Sequence, residues 1–172
     1  PANSGMTTSR AEPSILALGR VVGSLCVLTA CKGQTLEEQI SGAMVASWVS
    51  QASFNPPGLT VAVAKDRAVE SLLHCGDNFA LNVLANGKEK KLMRQFLKNF
   101  APGEDRFIDL EIERSPSGQP ILPESLAWLE GCVKQRMECG DHWLIYAEVQ
   151  HGRVLDQEGV TAVHHRQTGS NY

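Results

Sequence analysis

The sequence lacks the short motifs that mark the familiar enzyme mechanisms. It contains no GxSxG, HExxH, GxxxxGKS/T or GxGxxG pattern, so serine hydrolase, zinc protease, P-loop and Rossmann dinucleotide functions are not indicated. Basic residues are also scarce: the net charge is -3, and the densest basic stretch, 88–91, is interrupted by Glu89. This charge balance argues against nucleic acid as a partner.

Long apolar runs are absent as well. No stretch approaches the roughly 18 consecutive apolar residues that suggest a membrane-spanning helix. The first residues lack the charged, apolar and small-residue regions of a signal peptide. We therefore expect a protein without membrane insertion that resides in the cytoplasm.

Metal-binding spacings are missing too. The five cysteines include two loose pairs, Cys26 with Cys31 and Cys132 with Cys139, and neither pair has the CxxC spacing of zinc or thioredoxin-type sites. Adjacent histidines at 164 and 165 would point to opposite faces of a strand, so they cannot easily share one ion. We predict no metal site and expect core or incidental thiols.

What the sequence does contain is enough apolar material for one domain: 172 residues, of which 42% are hydrophobic. Residues 1–14, PANSGMTTSRAEPS, are polar and rich in Ser, Thr and Pro, which indicates a linker or an added tail. The domain is predicted to span 15–172. If 1–14 is a linker, the domain is the C-terminal piece of a larger protein.

Short apolar runs predict that strands dominate the fold. Runs rich in β-branched residues predict buried strands at 21–29, 59–64 and 79–84. Strict alternation in 107–113, FIDLEIE, predicts a half-buried antiparallel strand.

A hairpin and two helices complete the predicted elements. Segments 132–139 and 142–149 flank Gly140-Asp141, which predicts a hairpin turn. Helical spacing occurs over 67–74 and 89–100. Strands outnumber helices, so we predict a mainly β fold with peripheral helices, a closed or nearly closed antiparallel barrel.

The segment 42–48 is the strongest candidate for a site. Its small residues, Gly42, Ala43, Ala46 and Ser47, let a flat ligand approach the main chain, whose N–H and C=O groups can bond a heterocycle. Met44 and Trp48 could wall the ring on either side. The alternative is a packed strand and bulge that is rich in small side chains.

Two other places carry charge or a titratable ring. Lys65 and Arg67 precede the predicted helix at Ala68, which makes a plausible phosphate seat; the alternative is ordinary solvated charges. The pair Asp141-His142 follows the hairpin turn, where a histidine can project from the barrel rim. The alternative there is a histidine that caps the strand.

Several of these segments resemble the flavin reductase-like family. GAMVASWVSQASFNPP, 42–57, resembles that family's flavin-binding segment N-G-M-T-A/V-S-S-F-T-S-V-S-x-D-P-P. Residues 79–84 resemble its F-x-V-N-V-L strand, and 140–142 resemble its G-D-H. With Gly118-x-Pro120-x-Leu122, these four ordered matches cover roughly 15–172.

A narrower likeness is also present. The Ser/Pro-rich beginning, the stretch GRVVGSLCVLTA and the residues from His164 to Tyr172 are similar to the C-terminal flavin reductase module of flavodiiron proteins from cyanobacteria and other oxygenic phototrophs. A linker-like beginning agrees with a detached module.

The resemblance implies an antiparallel Greek-key split β-barrel that binds FMN, forms a homodimer and takes electrons from NAD(P)H. In the flavodiiron setting the electrons would pass to a diiron and FMN core that reduces oxygen to water. The implied catalytic residue is His142, near the nicotinamide or the flavin edge. The implied cofactor-binding residues are Met44, Val45, Ala46, Ser47 and Trp48 at the ring and ribityl chain, Ser53, Ala64, Lys65, Arg67 and Ala68 toward the phosphate, and Asn82 as support.

Two positions depart from the family pattern. Val45 replaces the usual Thr, and Trp48 stands where a second Ser is common. Because a hydrogen bond contributes about 0.5–1.5 kcal/mol, losing both predicts FMN binding weaker by roughly one to two powers of ten.

A rival interpretation makes the domain a flavin-binding or docking module that receives electrons from a protein such as ferredoxin. Docking an acidic ferredoxin needs a basic surface. The second predicted helix could supply one with Lys88, Lys90, Lys91, Arg94 and Lys98. An ordinary solvated helix face is the alternative.

Overall fold

The structure, a computed structural model, describes residues 12–35, 37–101 and 103–172. Most of residues 1–14, the predicted linker or tail, therefore lies outside the described part. The regular elements are α1 (Pro13–Leu18), β1 (Gly23–Ser24), β2 (Cys26–Lys32), β3 (Ile40–Ala46), β4 (Val49–Ser53), β5 (Gly58–Ala64), a 3₁₀ helix (Ala68–Leu72), β6 (Asn78–Val83), α2 (Lys90–Phe96), β7 (Glu113–Arg114), β8 (Pro120–Ile121), β9 (Ala127–Cys139), β10 (His142–Val154) and β11 (Val163–His164).

Seven of the strands form one antiparallel sheet in the order β3-β2-β6-β9-β10-β5-β4. Its two edges, β3 and β4, are consecutive in the chain and are separated by Ser47 and Trp48 alone. Since two residues cannot bridge a flat seven-stranded sheet, the sheet must curl until its edges meet. This confirms the predicted mainly β, nearly closed antiparallel barrel.

The predicted hairpin is also confirmed and is longer than expected. β9 and β10 pair from His142 opposite Cys139 to Val154 opposite Ala127, with register shifts between Tyr146 and Ala147 and farther along. Bulges of this kind increase local twist and help a sheet to close. The turn at 140–141 brings the first residue of β10 beside the last residue of β5, where His142 lies opposite Ala64.

The core lies on both faces of the central strands. Leu28, Val61 and Phe79 belong to the cluster inside the barrel, whereas Val27 on the opposite face of β2 belongs to a second cluster beneath α2, with Phe96. Strand β2 is buried on both faces, which explains why its sequence is a continuous apolar run.

Buried polar side chains connect these layers. Asn82 donates to the Val27 carbonyl and to Thr29 Oγ1, both at 3.1 Å, and accepts from the Leu122 amide at 2.9 Å. Glu130, 1% exposed, accepts hydrogen bonds from the hydroxyls of Ser115 and Ser117 and from the Ser117 amide. Such bonds replace the water that these groups lose on burial.

The predicted strand at 107–113 is wrong. A turn covers 107–109, residues 110–112 are irregular, Asp109 has φ 62°, and a strand begins only at Glu113. The Phe107 ring packs on Phe96 with centroids 5.6 Å apart, and Leu110 and Ile112 pack against the same cluster. Ile108, however, is 54% exposed, so the alternation does not reflect a ladder.

The predicted helices are shorter than their patterns indicate. The region 67–74 contains the 3₁₀ helix, in which Val69 is buried and Ala68 is exposed. It packs on Gly42, where a Cβ would lie 3.1 Å from the Val69 side chain. The second helix, α2, ends at Phe96, and Leu97 beyond it is 61% exposed.

Three further boundaries differ from the sequence analysis. Val21 and Val22, predicted to start a buried strand, are 66% and 47% exposed, and pairing starts at Gly23. Helix α1 begins at Pro13, inside the segment assigned to a linker or tail. Strands β3 and β4 were not predicted as such, because their small and polar residues lack a clear period.

All five cysteines are free thiols. Cys26, Cys31 and Cys132 are buried, and Cys75 and Cys139 are exposed. Burial raises the pKa of Cys26 to about 12, so this thiol stays protonated.

Candidate functional site

The end of β3, the turn after β5 and the end of α2 enclose a cavity of about 540 Å³. This cavity is called the ring cavity. It brings together two segments that the sequence analysis treated separately, Met44–Ser47 on one wall and Arg67-Ala68 on the other. The described residues that line it are Ala43, Met44, Val45, Ser47, Asp66, Arg67, Ala68, Val69, Met93, Phe96, Leu97, Lys98, Asn99, Phe100, Arg106, His164 and Tyr172.

The β3 wall combines a tightly packed side with an open one. Met44 packs in the barrel core and also borders the cavity. Val45, on the other face of the strand, lines the cavity and is half-buried. Ala46 returns to the core and is 3% exposed, so it does not reach the cavity. The alternation follows from strand geometry.

Cations border the ring cavity from two directions. Arg67 follows β5, and Lys98 and Arg106 flank the end of α2. Lys98 donates to Gln95 at 3.2 Å, and the Arg106 guanidinium lies 5.6 Å from the Phe100 ring centre. The 3₁₀ helix is too short for a substantial dipole, so these side chains supply the attraction for an anion.

Arg106 was missed by the sequence analysis. It reaches the cavity because the Gln95 amide holds its carbonyl against α2. No short motif around Arg106 indicates this contact, which joins residues from a helix and a turn.

An aromatic group of three residues, Trp48, His142 and Tyr172, forms the rim of the barrel. The Trp48 ring centre lies 4.7 Å from that of His142 and 4.8 Å from that of Tyr172. The Arg166 guanidinium stacks over Trp48 at 5.2 Å. Arg166 and Tyr172 were not predicted as site residues, although both fall in the C-terminal segment that carries the family likeness.

Hydrogen bonds set the tautomer of His142. Nδ1 lies 2.6 Å from Asp141 Oδ1; a carboxylate only accepts, so Nδ1 carries the proton and donates. In the neutral ring Nε2 then accepts from the Tyr172 hydroxyl. The hydrogen bond from His142 lowers the pKa of Asp141.

The indole nitrogen of Trp48 is an exception among these contacts. It is buried and finds no hydrogen-bond acceptor among the described residues. An unpaired buried donor is unfavourable by about 1–3 kcal/mol. The Trp48 N–H is therefore a hydrogen-bond donor that the described residues leave unused.

The family of the chain follows from a comparison of its sequence. The pattern of the family described as "flavin reductase like domain" matches residues 18–170. The chain belongs to this family. The resemblance drawn from the motifs is thereby confirmed.

Curated relatives of this flavin reductase-like domain come from cyanobacteria. Diflavin flavoprotein A 1 of Synechocystis sp. is 55% identical over 156 residues, which cover 91% of this chain and 26% of the relative. A Nostoc sp. protein of the same diflavin flavoprotein A series is 59% identical with the same coverage. The chain therefore spans about a quarter of the length of these relatives.

Solved structures share the fold of the flavin reductase-like domain. The NADH:FAD oxidoreductase SgcE6 of Streptomyces globisporus C-1027 is 23% identical with a TM-score of 0.79, covering 99% of this chain and 95% of its own. BorF, the flavin reductase component of a bacterial two-component tryptophan halogenase, is 24% identical with a TM-score of 0.72, covering 87% and 90%.

Several residues that the resemblance assigned to the cofactor lie outside the ring cavity. Lys65 pairs with Glu138 and lies over Trp143, with Nζ 5.4 Å from the ring centre. Ser53 lies in β4 opposite Gly58. Their roles at the phosphate remain predictions.

Three other assigned residues lie in or beside the barrel wall. Ala64 is buried at the end of β5, and Asn82 is enclosed between β2 and the Leu122 segment. Trp48 faces the rim and two neighbouring cavities instead of the ring cavity. Asn82 can therefore support the site through the strands that it connects.

Two absences apply to the part of the chain that the structure describes. It contains no group of three or more His, Cys, Asp or Glu residues placed to hold a metal ion. It also contains no helix with the length and apolar character needed to cross a membrane.

Proposed function

We propose that this domain binds FMN in the ring cavity and reduces it with NAD(P)H. The observation that carries the proposal is the cavity itself, which joins the β3 segment 43–47 to a set of cations, Arg67, Lys98 and Arg106. A flavin mononucleotide combines a flat, largely apolar ring with one anionic phosphate. The apolar wall and the cations suit these two parts.

Bound flavin would supply the redox chemistry, accepting a hydride from NAD(P)H and a proton from solvent and later releasing two electrons. The residues of the chain bind and orient. Met44 and Val45 would hold the ring, and Arg67 would bind the phosphate. His142, assigned a catalytic role by the resemblance, would hold the donor at the rim through its ring nitrogens.

We further propose that the electrons leave for a flavodiiron core in the longer protein. The relatives are named diflavin flavoproteins, and this chain covers about a quarter of their length. Two NAD(P)H, one O₂ and two protons would give two NAD(P)⁺ and two waters. The four electrons would pass through this domain as two successive pairs.

A homodimer is part of the proposal. A second cavity of about 450 Å³ is lined by the exposed apolar side chains of Leu18, Val21 and Val22. Phe54, in the turn after β4, is 90% exposed. Exposed apolar groups of this kind mark interaction surfaces.

Ferredoxin as the donor is less well supported than NAD(P)H. Lys91 pairs with Glu124 at 2.7 Å, and Lys88 lies 3.9 Å from Asp156. Lys98 lines the ring cavity instead. The two carboxylates reduce the positive potential that an acidic protein would meet at Lys88 and Lys91. Reduction by ferredoxin and by NADPH, compared at low and high salt, distinguishes the donors, because docking weakens with salt.

The decisive test uses two neighbouring cations. Arg67→Ala removes a charge from the cavity, and we expect the Kd for FMN, measured by flavin fluorescence, to rise about tenfold, as for loss of a charge-assisted hydrogen bond. Lys65→Ala is the matched control, because Lys65 is engaged by Glu138; its Kd should change less than about threefold.

NAD(P)H oxidation is followed in the same preparations. The wild-type chain with FMN should oxidise NADH or NADPH faster than free FMN does. A rate equal to that of free FMN would refute the enzymatic part of the proposal. Equal losses of FMN affinity in the two variants would refute the assignment of the cavity.

A further inference from the structure

Tyr172 separates two cavities at the rim. On one side it borders the ring cavity of about 540 Å³. On the other side it borders a second cavity of about 480 Å³, called the donor cavity. The wall of the donor cavity includes Trp48, Ala62, Asp141, His142 and Leu144. Tyr172 therefore lines both the proposed flavin site and the cavity that His142 borders.

Contacts of the segment 166–172 with α1 and with Trp48 hold Tyr172 in this place. The Arg166 guanidinium stacks on Trp48 and donates to the Leu18 carbonyl at 3.5 Å. The Gly169 amide donates to the Ile15 carbonyl at 2.7 Å. Tyr172 itself remains 50% exposed. Because these partners lie in α1 and at the rim, the segment can detach without breaking a strand pair of the barrel.

Gly169 shows how closely this segment approaches α1. A Cβ at Gly169 would lie 2.7 Å from the Leu18 Cβ and 2.9 Å from the Ile15 carbonyl oxygen. Any larger residue therefore has to push the segment away from α1. This offers a way to loosen Tyr172 while all three rings of the rim stay in the chain, although Gly169 also lines the cavity that His142 borders.

We infer that Tyr172 stands in the place of the donor's nicotinamide ring, and that the donor must displace it to reach the flavin. The inference rests on the proposed function, because it assumes a nicotinamide dinucleotide as the ligand. Tyr172 then acts as a gate that competes with the donor.

The chemistry of the rim suits a carboxamide-bearing ring. The phenol of Tyr172 gives Nε2 of His142 a donor but leaves the Trp48 indole N–H without an acceptor. A nicotinamide carries both an N–H donor and a carbonyl acceptor next to a flat ring. It can replace the ring contact with Trp48, and its carbonyl can accept from the indole N–H, which has no acceptor among the described residues.

The first test compares kinetic constants with FMN at saturation. Because a ring contact and one hydrogen bond compete with the donor, Tyr172→Ala should lower the KM for NAD(P)H about three- to tenfold. Gly169→Ala, which leaves Tyr172 in the chain, should lower it in the same direction. Gln167→Ala, an exposed residue of the same segment, is the control and should leave KM unchanged.

The second test does not depend on flavin. Proton NMR follows the nuclear Overhauser contacts between the Tyr172 and Trp48 rings while NADP⁺ or NAD⁺ is added to flavin-free protein. We expect these contacts to disappear as the dinucleotide binds. Phosphate at equal concentration should leave them in place, which distinguishes the ring from the anionic part of the ligand.

The outcomes separate this inference from the proposed function. An unchanged or raised KM in both Tyr172→Ala and Gly169→Ala overturns the gate, even if the wild-type chain reduces FMN. Persistence of the ring contacts at saturating dinucleotide, or no dinucleotide binding at all, also overturns it. Loss of the contacts in a chain that fails to reduce FMN supports the gate and refutes the proposed function.

Discussion

The buried polar side chains Asn82 and Glu130, called the polar layer, contrast with the rim around Trp48. In the layer, each carboxylate or amide oxygen named above has a partner from another part of the chain, and Glu130 is 1% exposed. At the rim, Trp48 has an unpaired donor, and Tyr172 is held by an exposed segment.

The difference teaches which polar groups serve the fold and which are left for a ligand. Groups that the chain satisfies completely stabilise one arrangement and gain nothing from a ligand. Groups that the chain leaves partly unpaired gain a hydrogen bond when a ligand binds, so they contribute to the binding free energy. Four substitutions test this division.

The largest effect is expected at Glu130. Glu130→Ala leaves the hydroxyl and amide donors of Ser115 and Ser117 without their acceptor, so the free energy of unfolding should fall by about 3 kcal/mol or more. Urea unfolding followed by tryptophan fluorescence measures it. The control, Glu138→Ala, removes an exposed ion pair with Lys65 and should lower stability by less than about 1 kcal/mol.

Asn82→Ala comes next. It removes three hydrogen bonds that tie β2 and β6 to Leu122, and we expect stability to fall by about 2–3 kcal/mol. The Kd for FMN, measured on the folded protein, should stay within about twofold of the wild-type value, because the side chain is enclosed by protein. A tenfold weaker Kd would assign Asn82 to the site instead of the fold.

A hydroxyl added at the ring cavity should have a moderate effect. Val45→Thr restores the residue usual in the family pattern at a cavity-lining position, so one new hydrogen bond should tighten FMN binding about two- to tenfold. Val49→Thr is the control, since Val49 lines the separate cavity of about 450 Å³ instead of the ring cavity. Equal gains in flavin fluorescence titrations would contradict the assignment of the ring cavity.

The smallest effect is expected at Trp48. Trp48→Phe keeps an aromatic ring and removes a buried N–H that has no acceptor among the described residues. The gain of about 1–3 kcal/mol from removing that donor is offset by the packing that the smaller ring loses, so stability should change by less than about 1 kcal/mol in either direction. Trp143→Phe is the comparison, because Trp143 lies beneath the Arg136 guanidinium at 4.5 Å and its loss should weaken a cation–π contact. A large loss at Trp48 alone would show that its indole serves the fold.

Most strands could be predicted because their residues carry the pattern locally. The segments 59–64 and 79–84 are short apolar runs, and the hairpin turn at Gly140-Asp141 is a signal of adjacent residues. The segment 107–113 shows where this reasoning fails. Its alternation arises because residues of a turn pack against α2, and period alone does not distinguish that arrangement from a ladder.

The candidate site was predicted in part. Met44, Val45, Ser47 and Arg67 were selected through their motif and charge, and the structure places all four at the ring cavity; their cofactor role stays a prediction. Arg106, Arg166 and Tyr172 were not, because each reaches the site through contacts with residues distant in the sequence. Lys65 was selected for its charge, and its engagement by Glu138 on β9 depends on how the strands pair.

By itself the sequence determined β2, β5, β6 and the β9–β10 hairpin, the nearly closed barrel as a class of fold, and which family the motifs resemble, since these depend on neighbouring residues. Where the barrel closes was decided by the tertiary structure alone. Barrel closure at Ser47-Trp48, the cavity between Val45 and Arg67, and the position of Tyr172 against His142 all arise from long-range packing. Each such position depends on many contacts of similar energy between residues distant in the sequence. The sum of these contacts, and no single one, selects the position in the folded chain.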